Sequence, residues 1–382
     1  MPKLCSQKPG NPGFSALIIP RFFVLIKGMN FCNIIPSMGK RYGKNIKALI
    51  VVNNFLNAME ATVINHILVP LDGSTLAECV LPHIMAIAPV TNARVTLLHV
   101  LQHAQNGSPA VDPVEWHLQK QKSEKYLEQI VGQLNKSGIL GVESIILEGN
   151  PANSVIDFAH NNNVDLIALS THGNSGLSGW NVSSVVQKIL LRSYKSTLLV
   201  RAYLPSSATM TKVRYKRLFV GMDCSPRSEF VLPFAISLAQ FHKSQIILEC
   251  VVEKPQAINR FPLSEEDTEL INKFVESNYQ TATRYFKQLL HQFPIKELKL
   301  KTHVSIGDNA VAVLHDMVEE SNADLMLLAA HGYSGERRWP YGSVTTSFIA
   351  YGNTSLMIMQ DMPHTEIHPT RAEMAVREGQ GH

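Results

Sequence analysis

The sequence lacks any closely spaced pair of cysteines. It has five cysteines in 382 residues, an odd number, and none of them forms a C-x-x-C motif. This spacing argues against both the disulfide framework of small secreted domains and a structural zinc site. We therefore expect all five thiols to be free and the protein to occupy a reducing cytoplasm. They are Cys5, Cys32, Cys79, Cys224 and Cys250.

The sequence also lacks an apolar run long enough to cross a bilayer. The apolar stretches at 17–26 and 48–52 are shorter than the roughly 20 residues that a membrane-spanning helix needs, and Pro20 with Arg21 interrupts the first. There is no unbroken apolar core of a signal peptide with a small-residue cleavage site. The sequence therefore predicts no membrane partner.

Acidic side chains are absent from residues 1–59, which carry eight Lys or Arg. The rest of the chain has 35 − 8 = 27 basic and 31 acidic residues, so its net charge is −4. This mildly acidic balance does not predict a general nucleic-acid-binding surface. We interpret 1–59 as a leader outside the fold, with Met59 as the natural start and Met1 as the alternative. An organellar transit peptide is a further interpretation, although the segment is not notably rich in Ser or Arg.

The remaining sequence contains two copies of one unit. INHILVPLDGS at 64–74 matches YKRLFVGMDCS at 215–225, an offset of 151. DLIALSTHGNSGLSGWNVSSV at 165–185 matches DLMLLAAHGYSGERRWPYGSV at 324–344, an offset of 159. The difference of eight residues predicts one insertion, in a longer middle helix of the second copy. A tandem duplication is the simplest explanation.

Strands and helices alternate within each copy. Predicted strands of the first copy lie near 65–71, 94–100, 142–147, 164–170 and 196–201, with helices near 74–88, 114–136, 151–161 and 183–193. Predicted strands of the second copy lie near 216–222, 245–251, 298–304, 324–329 and 355–360. The alternation predicts an α/β fold with two tandem domains, each a five-stranded parallel sheet with helices on both faces. The predicted domains are 60–202 and 215–361, with a linker at 203–214 and a polar tail at 362–382.

A loop that contains glycine follows the fourth strand of each copy. In the second copy that strand ends at Ala329, Gly332 follows, and Gly342 and Ser343 come after nine more residues. The apolar spacing after Ser343 predicts an amphipathic helix with Ser343 as its N-cap. Free backbone N–H groups and a helix N-terminus at the carboxyl end of a parallel strand can hold a phosphate, here without the lysine of a P-loop.

This small-x-x-Gly-x9-Gly-Ser pattern resembles the nucleotide loop of the universal stress protein family. The resemblance covers roughly 64–202 and 215–360. It implies a Rossmann-like fold, similar to the adenine nucleotide alpha hydrolases, and binding of ATP or ADP, with or without Mg²⁺. It also implies an intrachain pseudo-dimer in which the last strands, 197–201 and 355–360, meet, and it leaves a homodimer open.

The resemblance assigns candidate nucleotide-binding residues in both copies. The aspartate after the first strand is expected to contact the adenosine, and the valine after the second strand to present its backbone to adenine. The alternative is that the aspartate caps the following helix, with help from Ser74 or Ser225. The second-copy candidates are Asp223, Val251, Ala329, Gly332, Gly342, Ser343 and Val344. The first-copy candidates are Asp72, Val100, Ser170, Gly173, Ser183 and Ser184.

The second copy matches the family pattern more closely than the first. Only Ala329, where the family has glycine, departs from the pattern, whereas Ser170 and Ser183 replace two of the three glycines in the first copy. A Cβ at Ser183 is expected to restrict the backbone φ angle and the approach of a phosphate. Nucleotide binding is therefore expected mainly in the second domain.

Two residue types inside the loops have alternative roles. Arg337 and Arg338 either neutralise a polyphosphate or form a solvated basic turn. Trp180 and Trp339 are expected to wedge their loops against the body of the domain rather than to stack on a base.

The sequence provides no evident catalytic residue and no metal ligand. His172 and His331 precede the loop glycine, but neither a nucleophile nor an orienting partner nor metal-ligand spacing accompanies them. We expect them to be structural histidines hydrogen-bonded to backbone.

The predicted function is adenine-nucleotide binding in the cellular stress response. A nucleotide-free interaction protein, in which the loops are relics and the surfaces act as a scaffold, is the alternative. A slow ATPase or phosphotransferase ranks last because no general base or metal ligand is evident. The second loop favours binding, and the altered first loop favours a scaffold in that half.

Overall fold

Within the residues that the structure describes, ten β-strands form one continuous sheet. The strands of the first half are β1 (His66–Pro70), β2 (Arg94–Leu101), β3 (Val142–Glu148), β4 (Leu166–Ser170) and β5 (Ser196–Val200). Those of the second half are β6 (Arg217–Met222), β7 (Gln245–Glu253), β8 (Lys299–Gly307), β9 (Leu325–Ala329) and β10 (Leu356–Met359). Their order across the sheet is β3-β2-β1-β4-β5-β10-β9-β6-β7-β8.

The strands are parallel within each half, and the two halves meet through an antiparallel pair. Leu198 of β5 pairs with Met357 of β10, and the other neighbouring strands run parallel. The predicted α/β fold with parallel five-stranded units is confirmed, as is the predicted meeting of the last strands. One edge strand of each unit, β5 or β10, thereby gains a partner in the other unit, and β3 and β8 form the outer edges of the sheet.

This computed structural model describes residues 64–102, 113–177, 182–203, 212–255, 264–292, 298–333 and 339–362. The predicted leader, nearly all of the polar tail and most of the linker lie outside the described residues. Trp180, Arg337 and Arg338 lie outside them as well.

The described residues form nine α-helices. They are α1 (Thr75–Glu78), α2 (Leu81–Thr91), α3 (Pro113–Lys136), α4 (Pro151–Asn161), α5 (Ser184–Ser193), α6 (Leu232–His242), α7 (Glu265–Gln292), α8 (Ala310–Glu320) and α9 (Ser343–Tyr351). The single helix predicted at 74–88 is wrong, because Pro82 has no N–H group and starts the new helix α2 instead of continuing α1. None of the described helices has the length and apolar character required to cross a membrane.

The middle helix of the second half is longer than its counterpart, as predicted. Helix α7 has 28 residues and α3 has 24, so α7 accounts for 28 − 24 = 4 of the eight inserted residues. Both helices cover the same face of the sheet.

Apolar side chains fill a layer on each face of the sheet. Leu68 packs in the layer beneath α4 and α5, whereas its neighbour Val69 packs in the layer beneath α2 and α3. This alternation follows from the two-residue repeat of a strand. Because both faces are covered, the central strands are nearly continuous in apolar residues.

Two aspartates set the register at the amino ends of the strands. Asp324 Oδ2 accepts hydrogen bonds from the backbone N–H groups of Lys216 and Arg217, at 2.6 and 2.7 Å. Asp165 does the same for the start of β1. These contacts align the first and fourth strands of each half, so that their carboxyl ends open at the same edge of the sheet.

A buried arginine of the first half contacts a helix of the second half. Arg201 is 1% exposed and donates hydrogen bonds to the carbonyls of Phe348, Ile349 and Thr354. Burial lowers its pKa to about 10. Since Phe348 and Ile349 lie in the last turn of α9, the guanidinium group satisfies free carbonyls and complements the negative end of the helix dipole.

Candidate functional site

A cleft opens at the carboxyl ends of β6 and β9. Its volume is about 680 Å³, part of which is open to solvent. The seven site residues predicted for the second copy all line this cleft; they are Asp223, Val251, Ala329, Gly332, Gly342, Ser343 and Val344. The lining also includes residues that the sequence analysis missed, among them Gly221, Ser228, Leu314, Leu328, His331 and Thr345.

The Asp223 carboxylate ties the glycine loop to the end of β6. Its Oδ2 atom accepts a hydrogen bond from the N–H of Tyr333, and Oδ1 accepts one from the N–H of Ser225 at 3.0 Å. A Cβ at Gly332 would lie 2.2 Å from Oδ2, so a larger residue could not stand beside this carboxylate. Burial raises the pKa of Asp223, but the hydrogen bonds from Ser225 and Tyr333 outweigh burial and hold the pKa below its usual value.

The first half repeats this arrangement around Asp72. Its carboxylate accepts hydrogen bonds from the N–H groups of Ser74 and Asn174, and a Cβ at Gly173 would lie 2.0 Å from Oδ2. The cap of α1 is Ser74, whose hydroxyl accepts from Ala77 at 3.1 Å. The aspartate therefore joins two loops and supports the capping serine, a role that neither sequence interpretation included.

Gly342, rather than Ser343, is the N-cap of α9. Its backbone is extended, with φ −73° and ψ 173°, and its N–H donates to the carbonyl of Ala330 at 2.8 Å. The predicted cap is wrong because Ser343 is already the first helical residue. Gly342 has no side chain with which to cap, so the cap position leaves the amides of the first turn of α9 open on the cleft side.

Ser183 takes the equivalent position in the first half and caps α5, which begins at Ser184. Its hydroxyl accepts a hydrogen bond from the N–H of Val186 at 3.4 Å, and its φ and ψ are −67° and 157°. These angles are close to those of Gly342, so the expectation that Ser183 restricts the backbone is wrong. The two halves differ instead in hydrogen bonding. The Ser183 hydroxyl accepts a hydrogen bond from an amide in the first turn of α5, whereas Gly342 has no side chain to accept one from the first turn of α9.

Ser170 uses its hydroxyl within the protein. It is buried, and its Oγ atom lies 2.7 Å from the carbonyls of Leu76 and His172, to which it donates. Val100, by contrast, is half-buried near the end of β2. The first-half candidates thus share the topology of the second half, but two of their hydroxyls are already engaged.

His331 connects the glycine loop to two other segments. Its side chain is fully buried, with Nδ1 at 2.8 Å from Asp361 Oδ1 and Nε2 at 2.6 Å from the carbonyl of Trp339. Arg227 donates to the same carboxylate at 2.6 Å. Burial raises the pKa of Asp361, but the hydrogen bonds from His331 and Arg227 prevail and hold it below its usual value.

Both ring nitrogens of His331 therefore have hydrogen-bond partners within the protein, a carboxylate oxygen and a backbone carbonyl. For His331, the expectation of a structural histidine bonded to backbone is confirmed. The contact with Asp361 was missed because 30 residues separate the partners.

The expectation for Trp339 is wrong. Its side chain is 59% exposed and so does not wedge the loop against the domain. The backbone carbonyl of Trp339, held by His331, fixes the loop instead.

A buried carboxylate lies in β7 next to the cleft. Glu249 pairs with the cleft residue Gly221 and is 0% exposed. Neither of its oxygens has a hydrogen bond of good geometry among the described residues, and its neighbours are Ser305 and, at 3.7 Å, His303 Nδ1. Burial raises the pKa of Glu249 and outweighs the lowering effects of Ser305 and His303. The equivalent residue in the first half is Leu98, and the sequence analysis missed this difference.

The described cysteines are Cys79, Cys224 and Cys250, and all three are free thiols, as predicted. Cys5 and Cys32 lie outside the described residues. Within the part of the chain that the structure describes, no group of three or more His, Cys, Asp or Glu side chains is arranged to hold a metal ion.

Comparison with protein families gives two matches. The model of the universal stress protein family matches residues 64–201 and again residues 214–360. Each match covers one five-stranded half of the sheet.

Individual relatives match about one half each. A universal stress protein of Methanocaldococcus jannaschii is 28% identical over 138 residues, which cover 35% of this chain and 81% of the relative. One of Bacillus subtilis is 24% identical over 151 residues, covering 36% of this chain and 99% of the relative.

A solved structure matches both halves. The crystal structure of a universal stress protein from Archaeoglobus fulgidus superimposes with a TM-score of 0.56 and 17% identity. The match covers 78% of this chain and 99% of the other. At this identity the likeness shows the fold.

Proposed function

Because the chain belongs to the universal stress protein family, we propose that the cleft of its second half binds an adenine nucleotide, ATP or ADP, as part of a cytoplasmic stress response. One observation carries the proposal. The glycine loop, the uncapped start of α9 and the end of β7 beyond its pairing with β6 all line a single cleft at the carboxyl edge of a parallel sheet. Open α/β sheets bind ligands at this edge.

The start of α9 suits the phosphates. The N-terminus of a helix carries about half a positive charge and unpaired N–H groups. Ser343 and Val344, in the first turn, line the cleft, and Gly342 offers no hydroxyl that would compete with a phosphate oxygen.

The end of β7 suits the base. β6 pairs with β7 as far as Cys250, and β7 continues to Glu253, so Val251 lacks a β6 partner among the described residues. An unpaired edge presents backbone donors and acceptors to a ring. Leu314 and Leu328 supply apolar contact area in the same cleft.

We assign Asp223 to the ribose, which joins the phosphates at the start of α9 to the base at the end of β7. Its carboxylate oxygens accept backbone hydrogen bonds from Ser225 and Tyr333, and the hydroxyls of Ser225 and Ser228 also hydrogen-bond to the carboxylate. Two carboxylate oxygens have about four lone-pair sites, so a sugar hydroxyl would bind there by replacing a serine hydroxyl. Since its hydrogen bonds lower its pKa, the carboxylate stays ionised at neutral pH and acts only as an acceptor.

For the first half we propose the nucleotide-free role. Ser183 caps α5 with its own hydroxyl, and the hydroxyl of Ser170 bonds to backbone carbonyls, so the groups that would meet a phosphate are already paired. This half then acts as a scaffold that pairs with the second half through β5.

The direct test uses protein purified without added nucleotide. Mass spectrometry of the supernatant after denaturation identifies any ligand that co-purifies. Nucleotide-free protein is then titrated calorimetrically with ATP, ADP and GTP, each with Mg²⁺ and with a chelator. We expect saturable binding of ATP or ADP with about one site per chain. Absence of binding by both adenine nucleotides would contradict the proposal and favour the scaffold for the whole protein.

A further inference from the structure

Cys224 and Cys250 lie side by side next to the cleft, although 26 positions separate them. Their Sγ atoms are 3.4 Å apart. Cys250 is buried in β7, and Cys224 is half-buried in the loop after β6. We propose that this pair is a site of oxidation, at which a hydroperoxide converts the two thiols into a disulfide that links the loop after β6 to β7.

The backbone of Cys224 has a conformation that favours glycine. Its φ angle is +61°, in the left-handed region that favours glycine, and the equivalent residue of the first half is Gly73 with φ +81°. A residue with a Cβ costs about 1 kcal/mol in this conformation. The second half therefore carries a cysteine where the fold itself favours a glycine. Its partner is also specific to this half, because His99 takes the place of Cys250.

The two thiols have different acidities. Once Cys224 is a thiolate, it can accept a hydrogen bond from the Cys250 thiol, which holds the pKa of Cys224 below its usual range against the opposing effects of burial and of Asp223. The same hydrogen bond, together with burial, raises the pKa of Cys250. Because the thiolate is the nucleophile, Cys224 attacks first and Cys250 resolves. Partial exposure of Cys224 gives a small oxidant access.

The chemistry balances with a hydroperoxide as the oxidant. The Cys224 thiolate attacks the terminal oxygen of ROOH, the O–O bond breaks, and Cys224 sulfenic acid and ROH are formed after uptake of one proton. The Cys250 sulfur then attacks the sulfenic sulfur, an S–S bond forms, and the sulfenic oxygen leaves as water with the thiol proton. Two thiols lose two electrons in total, and the peroxide gains them.

The site differs from an ordinary buried thiol in having a partner within reach. A disulfide needs an S–S distance of about 2.05 Å, so the two sulfurs must approach by about 1.4 Å. Cys79, in the first half, is buried and has the hydroxyl of Ser170 as its neighbour at 3.4 Å. Burial raises the pKa of Cys79. Cys79 therefore serves as the matched control.

The test is peptide mapping of the reduced full-length chain after brief treatment with hydrogen peroxide and rapid alkylation. We expect a cross-linked peptide that joins Cys224 to Cys250, formed at least about tenfold faster than any oxidation of Cys79. Cys224→Gly, which installs the first-half residue and removes the left-handed strain, should abolish the cross-link without lowering the melting temperature. Cys79→Ser should leave the cross-link intact.

Three outcomes would overturn the proposal. One is oxidation of Cys224 to sulfinic acid without the cross-link. Another is a native protein in which both thiols remain fully alkylatable after treatment. The third is a cross-link that forms no faster than in chain unfolded by denaturant. Because the readout is a peptide mass and involves no nucleotide, the result is independent of the proposed ligand.

Discussion

Gly332 and Asp223 approach so closely that a Cβ atom at position 332 would lie 2.2 Å from the carboxylate oxygen Oδ2. Gly332→Ala should therefore push the carboxylate off the N–H of Tyr333 and loosen the loop. We expect a loss of about 1–2 kcal/mol in stability, the value of a partly exposed hydrogen bond to a charged group, and at least tenfold weaker ATP binding. Thermal unfolding and calorimetric titration measure the two effects.

Gly342→Ala is the matched control for that variant. A Cβ at position 342 would have its nearest neighbours at 3.7 Å, an ordinary contact, and φ is −73°. Its stability should fall by less than about 1 kcal/mol, the difference between glycine and alanine at a helix N-cap. If both alanine variants melted at the same temperature, the Gly332–Asp223 contact would have no structural role.

Glu249→Leu should stabilise the protein by about 1–3 kcal/mol at neutral pH, because it replaces a carboxylate whose burial outweighs its interactions with Ser305 and His303. The folded pKa of Glu249 is raised above 4.5, so ionisation costs stability at higher pH. The advantage of the leucine variant should therefore grow as the pH rises above 4.5. Thermal unfolding at pH 5 and pH 8 measures this difference in stability. Glu249→Gln, which keeps the shape of the side chain but cannot ionise, is the control. A leucine variant less stable than the parent at pH 8 would contradict this account.

His83 should make the protein sensitive to mild acid. Its Nδ1 atom accepts a hydrogen bond from the hydroxyl of Tyr215 at 2.7 Å, and burial lowers its pKa from 6.5 to about 4. A depressed folded pKa means that the stability contribution is complete above pH 6.5 and is lost as the pH falls towards 4. The loss is at most about 3 kcal/mol. His83→Gln keeps an acceptor but does not titrate, so its stability should fall less over this range. Parallel curves for the two proteins would contradict the prediction.

Arg201→Met should destabilise the junction between the two halves. The variant leaves the carbonyls of Phe348 and Ile349 without their charged donor, at a cost of about 2–4 kcal/mol. A clear fall in melting temperature is the expected result. The exposed Arg214→Met is the control and should change stability by less than about 0.5 kcal/mol. Equal effects of the two substitutions would show that Arg201 does not hold the halves together.

Much of the fold follows from patterns that are local in the sequence. Apolar runs of strand length alternating with helical stripes place nine of the ten strands within two residues at each end and β8 within three, because burial on both faces imposes these patterns. The candidate site follows from the same logic. Asp223, Val251 and Gly332 stand far apart in the chain, but the carboxyl ends of parallel strands converge at one edge.

What the sequence could not provide depends on backbone angles and on distant neighbours. Glycine allows many backbone conformations, so the sequence did not show which one residue 342 has. The backbone there is extended, a conformation that other residue types also adopt easily. The contact of His331 with Asp361 and the approach of Cys224 to Cys250 arise only once β10 and β7 take their places in the sheet.

The central claim, that the second-half cleft holds the nucleotide, is tested most directly by calorimetric titration of ATP into nucleotide-free parent protein and into Gly342→Val and Ser183→Val. Valine adopts the extended backbone of position 342 without strain, so Gly342→Val should fold normally while its side chain blocks the start of α9. The account predicts at least tenfold weaker binding, about 1.4 kcal/mol, for Gly342→Val and little change for Ser183→Val. Equal losses in the two variants, or no binding by the parent protein, would contradict it.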